Sequence, residues 1–501
     1  MKKRTWLYAI LFLSIPSAVW AAEEGAGNDP FAAVDAVFSQ IVAVIFKILF
    51  FSVGGFPLIV LWLVVGAIFF TIRMGFINIR AFAHAIDILR GKYDDPNDEG
   101  EVSHFQALAA ALSGTVGLGN IAGVAVAVSV GGPGAVFWMT LAGFFGMTSK
   151  FVECTLAQKY RVIKADGSIS GGPMRYLSTG LAEKGMGAFG KVLAIIFSVL
   201  CICGTFGGAN MFQANQSYGA VSRVLPGLPS WVYGLVMVAL VGMVIIGGIR
   251  RIGMVAGAIV PFMCLLYVAA ALLILLLNIT EIPAAIATIV TGAFAPEAVE
   301  GGFIGVLVQG FQRSAFSNEA GVGSAAIAHS AAKTDEPVRE GLVALLEPFI
   351  DTIIVCNMTA LVIVITGAYN DPQLEALREA KQGAELTSAA FGTAISWFPI
   401  LLAIAVFCFA FSTMISWSYY GERCWDYLSD GKGIIVYKIL FLTATFIGSV
   451  SNPGSVIDFS DATLLSMAFP NLLGGYFLCN QVAADLNNYM GRLKSGEMTQ
   501  Y

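Results

Sequence analysis

The sequence predicts an all-α, polytopic membrane protein. Two sets of five spanning helices enter the membrane from opposite sides, the first helix of each set is broken, and one extra helix precedes them. Three observations carry this reading. The chain of 501 residues is 57% hydrophobic and only 12% charged, with a mean hydropathy of +0.78. A soluble domain carries about 25% charged residues to clothe its surface. Eleven apolar stretches approach the ~20 residues a helix needs to cross the hydrocarbon layer. Lysine and arginine concentrate in alternate loops, the asymmetry that orients membrane proteins. The net charge of −5 leaves no basic surface for nucleic acid.

At the N-terminus, Met1-Lys2-Lys3-Arg4 precede an apolar run from Trp6 to Trp20, followed by Ala21-Ala22 and Glu23-Glu24. This is the layout of a secretory signal peptide. An uncleaved signal anchor over 1–22 is the competing reading, and both place 23–50 outside the cytoplasm. The extra helix spans 51–73, and a cytoplasmic linker follows at 74–104. The first set of five fills 105–278, with spans at 105–130, 134–158, 191–219, 231–248 and 253–278. An extracytoplasmic connection over 279–302 leads to the second set, 303–482. Its spans are 303–332, 342–367, 394–420, 434–451 and 460–482, and a cytoplasmic tail covers 483–501.

Charge sets the orientation. Arg73, Arg80, Arg90, Lys92, Arg161, Lys164, Arg175, Lys184, Arg250, Arg251, Lys333, Arg339, Arg423, Lys432, Arg492 and Lys494 fall on one side. The opposite loops after the first helix hold Arg223, Arg378 and Lys381. The positive side is the cytoplasmic one, so the C-terminus is expected there, in a bacterial plasma (inner) membrane. The two sets then have inverted topology. Asn120-Ile121-Ala122-Gly123-Val124-Ala125 and Asn318-Glu319-Ala320-Gly321-Val322-Gly323 share an N-x-A-G-V-small pattern, 198 residues apart. The same offset carries the third and fourth spans of the first set close to those of the second.

Both copies of that pattern adjoin an interruption. The first is Ser113-Gly114-Thr115-Val116-Gly117-Leu118-Gly119-Asn120 and the second is Ala315-Phe316-Ser317-Asn318-Glu319-Ala320-Gly321. Glycines that merely let helices pack closely would explain such runs, but Gly114, Gly117 and Gly119 keep no single four-residue spacing. An unwound segment frees backbone groups, which in a membrane must line a cavity or meet a ligand. N–H groups over 117–120, at the positive end of a half-helix, suit a carboxylate. Thr115 and Asn120 side chains add hydrogen bonds to it. Freed carbonyls near Ser113, Val116 and Phe316 suit sodium or an ammonium group, with Phe316 and Ser317 assigned to the ammonium. The site therefore suits a small zwitterion and a driving cation.

Ionisable residues within spans are functional candidates. Arg313 is expected to pair with a buried carboxylate such as Glu153 or Asp351. Glu319 is expected to accept free N–H groups of the unwound segment. Glu347 and Asp351, four apart around Pro348, mark a kink or an ion path. The eight cysteines read as small core residues, and the three scattered histidines suggest no metal centre. No nucleophile–base arrangement supports an enzyme, and 117–120 lacks the G-K-[ST] ending of a nucleotide-binding loop. An occluded site suits broken helices better than a channel does. No cofactor is implied beyond sodium as coupling ion.

Four motifs make the chain recognisable. They are Gly131-Gly132-Pro133-Gly134-Ala135-Val136-Phe137-Trp138-Met139, the run 115–124, Phe316-Ser317-Asn318-Glu319-Ala320-Gly321, and Trp417-Ser418-Tyr419-Tyr420-Gly421-Glu422-Arg423. With them the sequence resembles the alanine or glycine:cation symporter family from about residue 50 to 490. Gly117-Leu118-Gly119-Asn120 is also similar to the broken first helix of neurotransmitter-type sodium symporters. The resemblance implies a leucine-transporter-type fold and sodium-coupled uptake of small neutral amino acids such as alanine and glycine. It implies that Gln213 faces the substrate, where a helix–helix hydrogen bond is the other reading. It places Thr413 and Trp417 near the substrate side chain, with plain packing as the alternative for Trp417. It gives sodium the hydroxyls of Ser412 and Thr413 and the carbonyls of Ser113, Val116 and Phe409. Proton coupling through Asp351 or Glu319, on the same fold, is the alternative mechanism.

Overall fold

The computed structural model describes residues 32–53, 55–164, 169–294 and 302–501, and the chain is almost wholly helical there. The signal-like segment 1–22 lies outside the described residues. In chain order the principal helices begin with α1 (Ala32–Leu49), α2 (Leu58–Arg73) and α3 (Phe82–Leu89). The first broken pair is α4 (His104–Thr115) and α5 (Gly119–Gly131). Then come α6 (Gly134–Lys159), α7 (Pro173–Glu183), α8 (Gly187–Val224), α9 (Ser230–Ile245), α10 (Gly248–Leu277) and α11 (Ile282–Phe294). The second broken pair is α12 (Gly302–Asn318) and α13 (Ala325–His329). The chain ends with α14 (Pro337–Ile365), α15 (Gly383–Ala394), α16 (Phe398–Ser429), α17 (Ile434–Val450) and α18 (Pro453–Ser495). Two short antiparallel ribbons pair Ser52–Val53 with Phe56–Pro57 and Val162–Ile163 with Ile169–Ser170.

Helix starts follow local chemistry. Ser103 and Gln106 form a reciprocal capping box at α4, each side chain accepting the other's backbone N–H. Gly132 has φ 65°, a turn open to glycine, and Pro133 follows it into α6. Asn452 caps α18 ahead of Pro453.

Among the described residues, six helices are long and apolar enough to cross a membrane, and α4 with α5, bent by 54°, adds a seventh candidate. The protein is a multi-pass membrane protein. The other predicted spans are shorter helices, α2 and α9 of 16 residues and α12 and α17 of 17. Large apolar side chains point outward, with Leu265 72% and Ile246 66% exposed. Lipid, not water, suits that outer face. The segment 23–50, which the sequence left without a role, contains α1. It docks on α18 through Phe38 against Phe459 and Ser39 Oγ at 2.7 Å from Ser455 Oγ.

Two helices organise the interior. α6 packs against α12, α14, α11 and α2, and α16 packs against α10, α8, α4 and α15. Between them lie the broken helices. α4 touches α13 and α16, and α5 touches α12. Close approach on α6 depends on glycine. A Cβ on Gly310 would stand 2.5 Å from Trp138 Cβ and 2.6 Å from the Ala135 carbonyl. Gly310→Val is expected to destabilise the protein by ~1–3 kcal/mol through overpacking. Thermal unfolding of the purified protein in detergent, read against wild type, tests this.

Candidate functional site

The first break runs through 116–118. Val116 leaves helical geometry at ψ 83°, so its neighbours need other partners. Gly117 N–H donates to Asn120 Oδ1 at 3.0 Å, and Leu118 N–H donates to Gln213 Oε1 at 3.1 Å. These N–H groups, expected to stand bare, are held by side chains in this conformation. Gly117 has no room for a side chain, since a Cβ there would meet Thr413 Oγ1 at 2.4 Å. Thr115 Oγ1 bonds back to the Ala111 carbonyl at 3.2 Å.

The second break runs through 319–324. Glu319, Gly321 and Gly323 have φ of 58°, 84° and 90°. Two of these left-handed positions carry glycine, which adopts them without a Cβ penalty. Glu319 is not, and its carboxylate is fixed by two donors, Trp417 Nε1 at 2.9 Å and the Ser324 hydroxyl. The expectation that Glu319 collects backbone N–H groups is replaced by these side-chain contacts. Asn318 Oδ1 takes the Ala320 N–H at 2.9 Å, and Asn471 Nδ2 reaches the Gly321 carbonyl at 2.8 Å.

The two breaks face one small cavity between α8, α12 and α16. It is lined by Thr115, Gly119, Gln213, Phe316, Thr413 and Trp417, together with Gly114, Gly208, Ala209, Glu319 and Leu464. It has room for about one water molecule. Six of the nine residues assigned to the substrate therefore line one space. Gly117 stands beside it against Thr413. Asn120 and Ser317 lie behind it on Asp351. Asp351 Oδ1 accepts Asn120 Nδ2 at 2.5 Å, and Oδ2 accepts Ser317 Oγ at 2.9 Å and Thr352 Oγ1 at 2.7 Å. One buried carboxylate thus ties α5 to α12, and among the described residues no cation lies within ion-pair distance of it.

The residues assigned to sodium come partly together. Ser412 Oγ and Thr413 Oγ1 each lie 3.5 Å from the Ser113 carbonyl. Ser113 Oγ lies 2.7 Å from both Ser412 Oγ and Ser416 Oγ. Ser416 went unnoticed in the sequence, although it sits one turn after Ser412. Val116 is buried at the break, and Phe409 packs its ring edge-on against Tyr267.

The buried charges pair differently from the expectation. Arg313 bridges to Asp461 on α18, not to Glu153 or Asp351. Gln312 Nε2 shares Asp461 Oδ2 at 2.8 Å, and the Arg313 guanidinium lies 5.3 Å over the Phe316 ring. Glu153 accepts Asn471 Nδ2 at 2.8 Å. Glu347 lies 3.3 Å from Lys150 Nζ, a partner the sequence did not single out. Pro348 is followed by a π-helical turn, Phe349–Cys356, that contains Asp351. Similar turns occupy Gly119–Gly123 and Gly207–Met211, beside the cavity. Such turns recur at functional sites.

A multi-pass helical membrane protein with a small polar cavity between broken helices is a carrier by class. Comparison with known proteins gives the family. The model of the sodium:alanine symporter family matches residues 35–501. The chain is 42% identical over 430 residues to the sodium/alanine symporter AgcS of Methanococcus maripaludis, covering 86% of this chain and 93% of that protein. It is 36% identical over 439 residues to the putative sodium/proton-dependent alanine carrier protein YrbD of Bacillus subtilis, covering 85% and 88%. It is 35% identical over 444 residues to the probable sodium/glutamine symporter GlnT of the same organism, covering 88% and 89%. The chain belongs to the sodium:alanine symporter family, whose members are transporters and not enzymes.

Trp417→Phe keeps an aromatic ring but removes the donor to Glu319. A buried acceptor that loses its partner costs about 1–3 kcal/mol, so this variant is expected to unfold at lower temperature than wild type. Thermal unfolding without ligand measures that loss.

Proposed function

We propose that this chain is a secondary symporter that imports small neutral amino acids, alanine and glycine, together with sodium ions by alternating access. The proposal includes the inverted five-plus-five repeat of the leucine-transporter-type fold and a bacterial inner membrane with a cytoplasmic C-terminus. The observation that carries it is the meeting of both broken helices at one cavity walled by Gln213, Thr413 and Trp417. Relatives named for sodium and alanine support the substrate and the ion.

In this reading the substrate carboxylate takes the N–H groups over 117–120, displacing the Asn120 and Gln213 oxygens that now hold two of them. Unlocking a side-chain bond for a charged ligand is favourable because charge-assisted bonds are stronger. The ammonium takes carbonyls near Phe316 and Ser317. Sodium binds between α4 and α16, at the Ser113 and Val116 carbonyls, the Phe409 carbonyl, and the hydroxyls of Ser412 and Thr413. Bridging two helices, the ion favours one arrangement of them, which couples its binding to the substrate's. Phe316 and Trp417 limit the side chain to a small one. A cavity with room for about one water must widen to admit even glycine, so entry requires helix movement.

A second reading draws on Asp351, a buried carboxylate held by neutral donors. Such a group is stable when it holds a proton or a cation. It keeps proton coupling open as the alternative, and the relative YrbD is named for both ions.

Uptake of labelled alanine into proteoliposomes separates the two. One set carries an inward sodium gradient, one a choline-balanced proton gradient, one none. Accumulation is expected with sodium alone, and Ser412→Ala with Thr413→Ala is expected to lower it roughly tenfold or more, since several oxygens hold a hard cation. Asp351→Asn should keep sodium dependence if sodium drives transport. Accumulation on the proton gradient alone overturns the sodium assignment.

A further inference from the structure

One carboxylate joins the two broken helices at a second place, away from the cavity. Glu340 on α14 receives His104 Nδ1 on Oε2 and His329 Nδ1, at 2.5 Å, on Oε1. His104 is the first residue of α4 and His329 the last of α13. All three side chains are buried. The neighbouring backbone is zipped as well. Glu101 N–H donates to the Ala331 carbonyl at 2.9 Å and Lys333 N–H to the Val102 carbonyl at 2.7 Å. Arg161 caps the carbonyls of Ser330, Ala332 and Thr334 and, in the linker, Glu99.

The second nitrogen of each imidazole also faces a carboxylate. His104 Nε2 lies 3.9 Å from Asp94 Oδ1, and His329 Nε2 lies 3.6 Å from Glu347 Oε2. A neutral imidazole donates from one nitrogen and offers a lone pair on the other. Here that lone pair would point at an anion. The imidazolium is the form that carboxylates on both sides attract, although each second nitrogen stands beyond hydrogen-bond distance of its neighbour. The surrounding charge acts in the same direction. Lys150 on α6 is the nearby cation, 3.3 Å from Glu347 and facing Glu153 and Glu319 as well. Arg161 is bound to backbone carbonyls, Arg339 pairs with Asp98 at 3.6 Å, and the other titratable groups packed nearby, Cys154 and Tyr420, are neutral as thiol and phenol. Asp94, with a side chain 43% exposed, gives solvent protons access.

We propose that Glu340, His104 and His329 form a proton-binding clamp on the two broken helices. Protonated, it ties α4 and α13 together; deprotonated, it lets them part. Charge-assisted bonds are about twice as strong as neutral ones, so each proton lost weakens the clamp. By the orientation proposed above, which this inference adopts, the clamp lies on the cytoplasmic side of the cavity. It makes opening toward the cytoplasm faster as pH rises and the imidazolium charge is lost.

Two measurements test this. The first is sodium-driven alanine uptake at a fixed sodium gradient, with equal pH on both sides, between about pH 6 and pH 10. Wild-type uptake is expected to rise by roughly threefold or more, and His104→Gln with His329→Gln to lose most of that slope. Equal slopes in wild type and double variant overturn the clamp. The second needs neither transport nor orientation. The chain has only three histidines, so histidine-selective NMR in nanodiscs gives three imidazole signals. His84, outside the clamp and held below its usual pKa by burial, is assigned with His84→Gln. The signal of His329, assigned with His329→Gln, is expected to change protonation over the same pH range, and to change it differently in Glu340→Gln. A His329 signal that keeps one protonation state throughout overturns the proposal. If no alanine accumulates at any pH, the symporter reading fails, and the NMR titration still decides the clamp.

Discussion

Backbone that leaves the helix inside a membrane must find partners within the protein, and the interior of this protein is arranged around that requirement. Two helices unwind, at 116–118 and at 319–324, and side chains from distant elements serve the groups set free. Gln213 on α8 takes one N–H of the first break. Asn471 on α18 takes a carbonyl of the second. Trp417 on α16 and Ser324 hold Glu319 in its left-handed conformation. The helices that wall the cavity are therefore the ones that stabilise the breaks. A ligand entering the cavity competes with bonds already made, so its binding and the arrangement of the helices are linked from the start.

Much of this was legible in the sequence. Apolar length located the helices, because lipid leaves a helix few alternatives. The breaks were legible because glycine, serine and asparagine crowd into runs otherwise fit for uninterrupted helix. Six residues assigned to the substrate, among them Thr115, Gln213 and Trp417, do line one space. The last two owe that assignment to the family resemblance, since nothing local distinguishes an inward-facing glutamine from one that merely joins helices. The partners of buried charges were not legible. Arg313 and Asp461 lie 148 positions apart, and His104 and Glu340 lie 236 apart. Several carboxylates occupy spans, and one chain without helix positions cannot say which of them faces which cation. α1 was missed for another reason. Its apolar length falls short of a span, and it docks on the first turns of α18, at Ser455 and Phe459, where Ser39 meets a residue 416 positions away in sequence.

Buried charge is dense for a membrane interior. Lys150, Glu153, Glu347, His329 and Glu340 form one connected group on α6, α13 and α14. A buried pair contributes little net stability when its desolvation is included. Its geometry is nevertheless demanding, because a charge left without its partner is strongly unfavourable. Such a group fixes which helices neighbour one another, and it resists any motion that separates them without exchanging ions or protons.

The small size of the cavity has a consequence for the cell. An ion gradient is useful only while the membrane stays tight to that ion. With room for about one water between the breaks, the cavity itself holds no column of solvent in this conformation. Ions that cross here must therefore be carried by movement of the helices, because the cavity is too small to serve as their pore.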